Sequence, residues 1–167
     1  MLIERIEMEN FGPYYGEHAL DLPTSGPPLI VVHGENMTGK TSFLNAIRWC
    51  FYGEARDRSG DPMPVVELIN TDAYDEGKTF VSVRMTVRAG SGESGETFIL
   101  RRQMQAASGF TTPEVDDEFE EIIEIDRNGV VQASSVFGQV VEQLIPKSIS
   151  RFFLFDGELL NEYEALV

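Results

Sequence analysis

Residues 34–41 read Gly-Glu-Asn-Met-Thr-Gly-Lys-Thr, a match to G-x-x-x-x-G-K-[ST], and no other stretch restricts the fold so tightly. Gly34 and Gly39 allow backbone conformations that side chains would block, so consecutive N–H groups can turn inward around a phosphate. Lys40 then supplies a point charge for the β- and γ-phosphates of a nucleotide, and the Thr41 hydroxyl offers a hard oxygen to Mg²⁺. Glu35, Asn36, Met37, Thr38 and Ser42 complete the stretch that would surround the triphosphate. Ordinary residue usage produces this pattern by chance in about one chain of this length in two hundred. The flanks narrow the reading further. Residues 29–32, Leu-Ile-Val-Val, are apolar and mostly β-branched, the pattern of a central strand buried on both faces. Beyond Thr41 the period changes: Phe43, Leu44, Ile47, Cys50 and Phe51 share one helical face, and Gly53 is a stop. Strand, glycine turn and helix together set an anion at a helix N-terminus, where the dipole favours it. The plainer alternative is an ordinary strand-to-helix turn.

The remaining chain reads mainly as antiparallel sheet. Residues 6–10 alternate apolar and charged, a turn follows at 11–16, and His18, Leu20 and Leu22 alternate again, predicting an opening hairpin. Val81, Val83, Met85 and Val87 alternate with Ser82, Arg84, Thr86 and Arg88, and a flexible loop at 89–95 leads to a partner strand at 97–102. A second hairpin is predicted for 119–133, because Asn128-Gly129 accepts the positive φ angles of a tight turn. Val136, Phe137, Val140, Val141 and Leu144 repeat at helical spacing up to Pro146. Residues 151–155 form a candidate buried strand, and Leu159, Leu160, Tyr163, Leu166 and Val167 open an amphipathic helix. Residues 53–77 carry turn residues and short apolar pieces without an assignable period.

Composition excludes several classes. A chain of 167 residues is about one domain. With 28 acidic and 13 basic side chains its net charge is −15, so its surface as a whole repels phosphate backbones and anionic headgroups. Nucleic-acid contact needs a local basic patch or other chain, and Arg84, Arg88, Arg101 and Arg102 are candidates for one strip, although an ordinary charged sheet face fits them better. Eight carboxylates between Glu114 and Asp126 read as a solvated hairpin rather than a calcium loop. One cysteine permits no internal disulfide, and with two histidines it cannot assemble a zinc site. No apolar run reaches about 18 residues and the N-terminus does not resemble a targeting peptide, so a reducing, cytoplasmic setting without membrane insertion is expected. Cys50 belongs to an apolar helix face and reads as core; His33 reads as the end of the buried strand, and His18 as part of a sheet.

The residues also resemble a family. Residues 3–12, Ile-Glu-Arg-Ile-Glu-Met-Glu-Asn-Phe-Gly, then 32–47 around the glycine loop, then Phe51-Tyr52-Gly53, are similar to the N-terminal head segment of SMC-like and SbcC-type ATPases. Residues 151–158, Arg-Phe-Phe-Leu-Phe-Asp-Gly-Glu, look like the DndD group of that family, associated with DNA phosphorothioation. Two positions depart from the family pattern: Met37 stands where Gly is usual, and Gly12-Pro13 replaces a commonly basic residue. The resemblance implies an α/β fold, the N-terminal half of a P-loop NTPase head of ABC/SMC type with an adjoining antiparallel sheet. It implies a lobe over 1–158 and, over 159–167, the start of a truncated coiled-coil helix. It also implies ATP and Mg²⁺ as cofactors, with Lys40 and Asp156 catalytic, Thr41 and Asp156 on the metal, and residues 152–158 as a Q-loop. The implied partners are a C-terminal half of the same head, a second head that sandwiches ATP, DNA for the full protein, and DNA-modification, repair or restriction subunits.

Two other readings stay open. Phe152-Phe-Leu-Phe-Asp156 also fits the metal-binding Walker B strand of a self-contained small NTPase or kinase, with Glu158 as candidate base. A plain core strand closed by a glycine turn fits the same residues less well. The second is a non-catalytic module that binds ATP to recruit a partner. If the head reading holds, this chain alone binds nucleotide weakly and hydrolyses it negligibly.

Overall fold

The computed structural model describes residues 1–25, 31–33, 35, 38–57, 59–90, 95–150 and 154. Its frame is one six-stranded antiparallel sheet, ordered β2-β1-β3-β4-β5-β6. The strands are β1 (Leu2–Phe11), β2 (Tyr14–Asp21), β3 (Phe80–Ala89), β4 (Glu96–Ala106), β5 (Phe119–Arg127) and β6 (Val130–Val131). Strand alternation sends Ile6 and Met8, Val81, Val83, Met85 and Val87, Phe98 and Leu100, and Ile125 to one buried face. Helix α1 (Lys40–Tyr52) covers that face with Ala46, Ile47, Trp49, Cys50 and Phe51, and the Trp49 ring lies 5.8 Å from that of Phe11. Gly53 ends α1 in the left-handed region at φ 71°, its N–H donating to Trp49 O.

The short helices α2 (Val65–Leu68) and α3 (Thr71–Asp75) fill the stretch that lacks a sequence period, being too short to show one. Helix α4 (Phe137–Leu144) inserts Phe137 and Val141 beside α1, and α5 (Lys147–Ser150) follows Pro146. The β5–β6 turn has the predicted form, with φ of 55° at Asn128 and 81° at Gly129.

Two expectations need correction, and the preferred reading of the arginines needs one exception. Residues 29–32 were expected as a buried strand; Leu29 and Ile30 lie outside the described residues, whereas Val31 and Val32 are 76% and 52% exposed and in no strand. A strand needs hydrogen-bonded neighbours, and all six strands named above are already joined to one another in a sheet that does not include this run. His33 is exposed with it and ends no strand. The arginines form an ordinary charged sheet face, as preferred, except for Arg102. Arg84 and Arg101 face each other across β3 and β4, and with Arg88 they lie on the outer face, where each meets an acid: Glu7 at 3.9 Å, Glu124 at 3.1 Å and Glu4 at 2.5 Å respectively. Arg102 is one residue out of phase, so it points inward and is 7% exposed. There it donates to the Cys50 carbonyl, pairs with Glu121 and lies 5.3 Å from the Phe137 ring. The candidate strand 151–155 and the helix from Leu159 lie outside the described residues, except Leu154, which is buried.

Candidate functional site

At the start of α1 the glycine loop meets the β1–β2 turn. Gly39 is the N-cap, with φ 98° and ψ 7°, and a Cβ built there would stand 2.9 Å from Tyr14 Oη and 3.0 Å from Pro13 Cγ. Glycine is therefore required twice, by conformation and by close approach. The Gly39 carbonyl accepts the Phe43 N–H at 2.8 Å and the Tyr14 hydroxyl at 3.1 Å. Because the peptide is planar and trans, holding that carbonyl along the helix turns the Lys40 N–H toward the loop. Burial raises the Tyr14 phenol above its ordinary value, keeping it a donor.

The loop also closes on itself. Thr38 Oγ1 donates to the Glu35 carbonyl at 2.7 Å, and Lys40 Nζ donates to the same carbonyl at 2.5 Å. The lysine thus folds back across the loop instead of running out along the helix. Gly39 has no side chain to cap the helix, and the first turn of α1 holds no acid, so neither an N-cap side chain nor a carboxylate of that turn competes with an incoming anion. A phosphate oxygen would replace a neutral carbonyl with a charged acceptor for the ammonium, a stronger partner. These residues fit the phosphate end of a nucleotide. Thr41 stands in the first helical turn, where its hydroxyl can serve Mg²⁺. Ser42 lies against the β1–β2 turn: a Cβ on Gly12 would be 3.5 Å from its Cβ and Oγ.

Of the other candidate residues, Gly34, Asn36, Met37, Asp156 and Glu158 lie outside the described residues. Leu154, two residues earlier in the chain than Asp156, is tied to α1. Arg48 Nη2 donates to the Leu154 carbonyl at 2.5 Å and Nη1 to Asn45 Oδ1 at 3.1 Å. The Tyr52 hydroxyl donates to the Ile145 carbonyl at 2.8 Å, and Lys147 pairs with Glu54 at 2.5 Å. Arg48 follows Lys40 by about 12 Å of helix at 1.5 Å rise per residue, so one helix carries both the phosphate-loop lysine and the tether of the late segment. Burial pushes the Tyr52 phenol up to about 12, and the Cys50 thiol, fully enclosed, also to about 12, which removes it as a nucleophile.

Pro13, Tyr14, Asn45 and Arg48 escaped sequence reasoning. Their roles depend on which chain segment lies opposite, and no local pattern encodes that. Among the described residues no group of three or more His, Cys, Asp or Glu is placed to hold a metal, and no helix is long and apolar enough to cross a membrane. The carboxylates of 114–126 are partly structural: Asp116 accepts the Val65 N–H at 2.7 Å, and Asp126 the Gly129 N–H at 2.6 Å. A cavity of about 490 Å³ on the outer sheet face, lined by Arg5, Glu7, Glu17, His18, Arg84 and Arg101, mixes both charge signs and is separate from the loop.

Known proteins resemble this chain in sequence and in fold. The family model described as "AAA domain" matches residues 5–166. The chain is 36% identical over 62 residues to the SbcC component of the SbcCD nuclease of Vibrio cholerae serotype O1, covering 35% of this chain and 6% of that protein. It is 36% identical over 50 residues to the SbcC component of Treponema pallidum, covering 30% and 5%. The chain thus spans a small fraction of the length of these relatives. A solved structure described as "Structural biochemistry of ATP-driven dimerization and DNA stimulated activation of SMC ATPases" superposes with a TM-score of 0.61 at 13% identity, over 96% of this chain and 90% of that one. At that identity the likeness concerns the fold, which is the α/β fold of an SMC ATPase.

Proposed function

The chain belongs to the AAA domain family, and from that premise we propose that it is the ATP-binding N-terminal lobe of an SMC- or SbcC-like ATPase head. One observation carries the reading: at a helix start, a left-handed Gly39 and a folded-back Lys40 enclose a loop that can exchange its own carbonyl for a phosphate oxygen. In this reading residues 34–42 hold the triphosphate through main-chain N–H groups, and Lys40 neutralises the β- and γ-phosphates. Thr41 and Asp156 hold Mg²⁺, which when bound offsets charge on the phosphate oxygens. Arg48 holds the Leu154 carbonyl, two residues before Asp156 in the chain.

The base for hydrolysis comes from a C-terminal half outside this chain. Two observations support that division: the aligned stretch covers 6% of the Vibrio relative, and Val31 and Val32, in no strand, leave apolar surface beside the loop that further chain could cover. Dimerisation of two heads around ATP is proposed by analogy with the superposed SMC ATPase, and a nuclease partner and DNA by analogy with SbcC. The acidic balance of this lobe puts most DNA contact on other surfaces. A narrower role in DNA phosphorothioation rests on residues 151–158 alone. The buried, lone Cys50 is compatible with a cytoplasmic setting.

The test is steady-state MgATP turnover by the chain alone and with the C-terminal half of its head supplied in trans, each with a Lys40→Ala control. Turnover should be negligible alone and should become Lys40-dependent with the partner. Strong Lys40-dependent turnover by the chain alone would instead assign Asp156 and Glu158 to a self-contained NTPase.

A further inference from the structure

The loop that receives the phosphates is held from outside by the turn between β1 and β2, whose backbone is shaped to be rigid. Asn10, Gly12 and Gly16 all have positive φ, at 52°, 54° and 72°, and the β1–β2 register shifts between Glu9 and Phe11. Positive φ at an asparagine is uncommon and persists where the surroundings fix it. They do so here. Asn10 is 1% exposed; its side chain accepts the Gly16 N–H at 3.0 Å, and its carbonyl accepts the Asn70 N–H at 2.8 Å. Gly12 donates to the Leu68 carbonyl at 2.7 Å and accepts from the Asn70 side chain at 2.8 Å. The turn is therefore fastened to residues 68–70 before it reaches the phosphate loop.

At its end the two tyrosines diverge, as successive strand residues must. Tyr15 goes away from the loop, donating to Glu76 at 2.6 Å with the Lys78 ammonium 4.4 Å from its ring. Tyr14 goes toward it. The Phe43 bond to the Gly39 carbonyl is one any helix would make, whereas the Tyr14 bond comes from a separate, fastened element and fixes the same carbonyl from a second direction. The Tyr14 ring is steadied by His18, edge-on at 5.5 Å between centroids.

We infer that Tyr14 is a positioning residue for the phosphate site: its hydroxyl locks the Gly39–Lys40 peptide so that the Lys40 N–H stays aimed at the bound phosphates. The inference rests on the nucleotide-binding reading given above and deepens it. It makes the antiparallel sheet, through its first turn, part of the phosphate-binding apparatus. Tyr14 meets the loop at the Gly39 carbonyl, so the inference confines its effect to the phosphate end of any ligand.

Calorimetric titrations of the whole chain with MgATP, and separately with magnesium tripolyphosphate, test this in wild type, Tyr14→Phe, Tyr15→Phe and Lys40→Ala, alongside melting temperatures. Phenylalanine keeps the ring and removes one donor. Tyr14→Phe should weaken both ligands by the same factor, about fivefold for one hydrogen bond, while Tyr15→Phe binds both like wild type. Wild-type affinity in Tyr14→Phe overturns the inference and leaves the nucleotide site standing. So does equal weakening in both tyrosine variants, which would mean that the turn acts through general stability. A loss for MgATP without one for tripolyphosphate would make Tyr14 a nucleoside contact and overturn the positioning role. Wild type no better than Lys40→Ala on either ligand overturns the site and the inference together.

Discussion

The antiparallel sheet and the phosphate loop adjoin in this chain yet are built in opposite ways. Strands β1, β3, β4 and β5 pair side by side with one register shift, between Ile3 and Arg5, and their inner face is closed by α1 and α4, leaving Ile6, Val81, Val83, Met85, Val87 and Leu100 without exposure. Around the loop, Val31 and Val32 face solvent, and the described loop bonds go to Glu35 and to Tyr14. The sheet is organised by burial, the loop by a few directed hydrogen bonds. Stability and ligand affinity should therefore respond to different residues.

Leu100→Ala in the middle of β4 tests the first half of that separation. It should cost about 3 kcal/mol of unfolding free energy, the transfer and cavity terms for a buried leucine, with nucleotide affinity unchanged at temperatures where the variant is folded. Urea denaturation and MgATP titration measure the two quantities, and a parallel loss of affinity would break the separation.

Gly39→Ala should violate the separation by design, because that residue belongs to both regions. Its φ of 98° and the approach of Tyr14 Oη to 2.9 Å make any side chain strained, by roughly 1–3 kcal/mol. Melting temperature and affinity should fall together.

Alkaline pH probes the sheet side again. The Cys50 thiol is raised in the folded protein to about 12 from an ordinary 9, mainly by burial. Its protonated form is therefore favoured by folding. The stability this confers is complete below pH 9 and is lost as pH rises toward 12, at up to about 1.4 kcal/mol per pH unit. Urea midpoints measured from pH 8 to pH 11 should fall more steeply in wild type than in Cys50→Ala. Parallel curves would show that the thiol is not enclosed.

The smallest effect belongs to the exposed run. Val31→Thr with Val32→Thr should shift stability by no more than about 0.5 kcal/mol, as for surface positions. A loss of several times that would restore the buried strand that their β-branched pattern suggests.

That last contrast shows where sequence is readable here. Asn128-Gly129 identified its turn because both positive φ angles are local requirements, and Phe43 to Gly53 identified α1 because period and stop lie within one segment. Val31 and Val32 misled because an apolar β-branched run reports a preference for burial but not the presence of a neighbouring strand. Arg102 looked like its companions Arg84 and Arg101, yet strand phase alone sent it inward to the Cys50 carbonyl and Phe137. At the candidate site the motif from Gly34 to Thr41 was readable because phosphate chemistry dictates its spacing, and the structure puts Gly39, Lys40 and Thr41 at the start of α1. Tyr14 and Arg48 were not, since each acts on a carbonyl 25 or 106 residues away.

Amide hydrogen exchange with and without MgATP, resolved by peptide and run on wild type and Lys40→Ala, tests most directly whether the main chain at 34–42 receives a triphosphate. Wild type should show protection concentrated in peptides spanning 34–42, and Lys40→Ala should lose it while the sheet peptides stay unchanged. Wild type without protection there, or with protection confined to the outer sheet cavity around Arg84 and Arg101, would contradict the account.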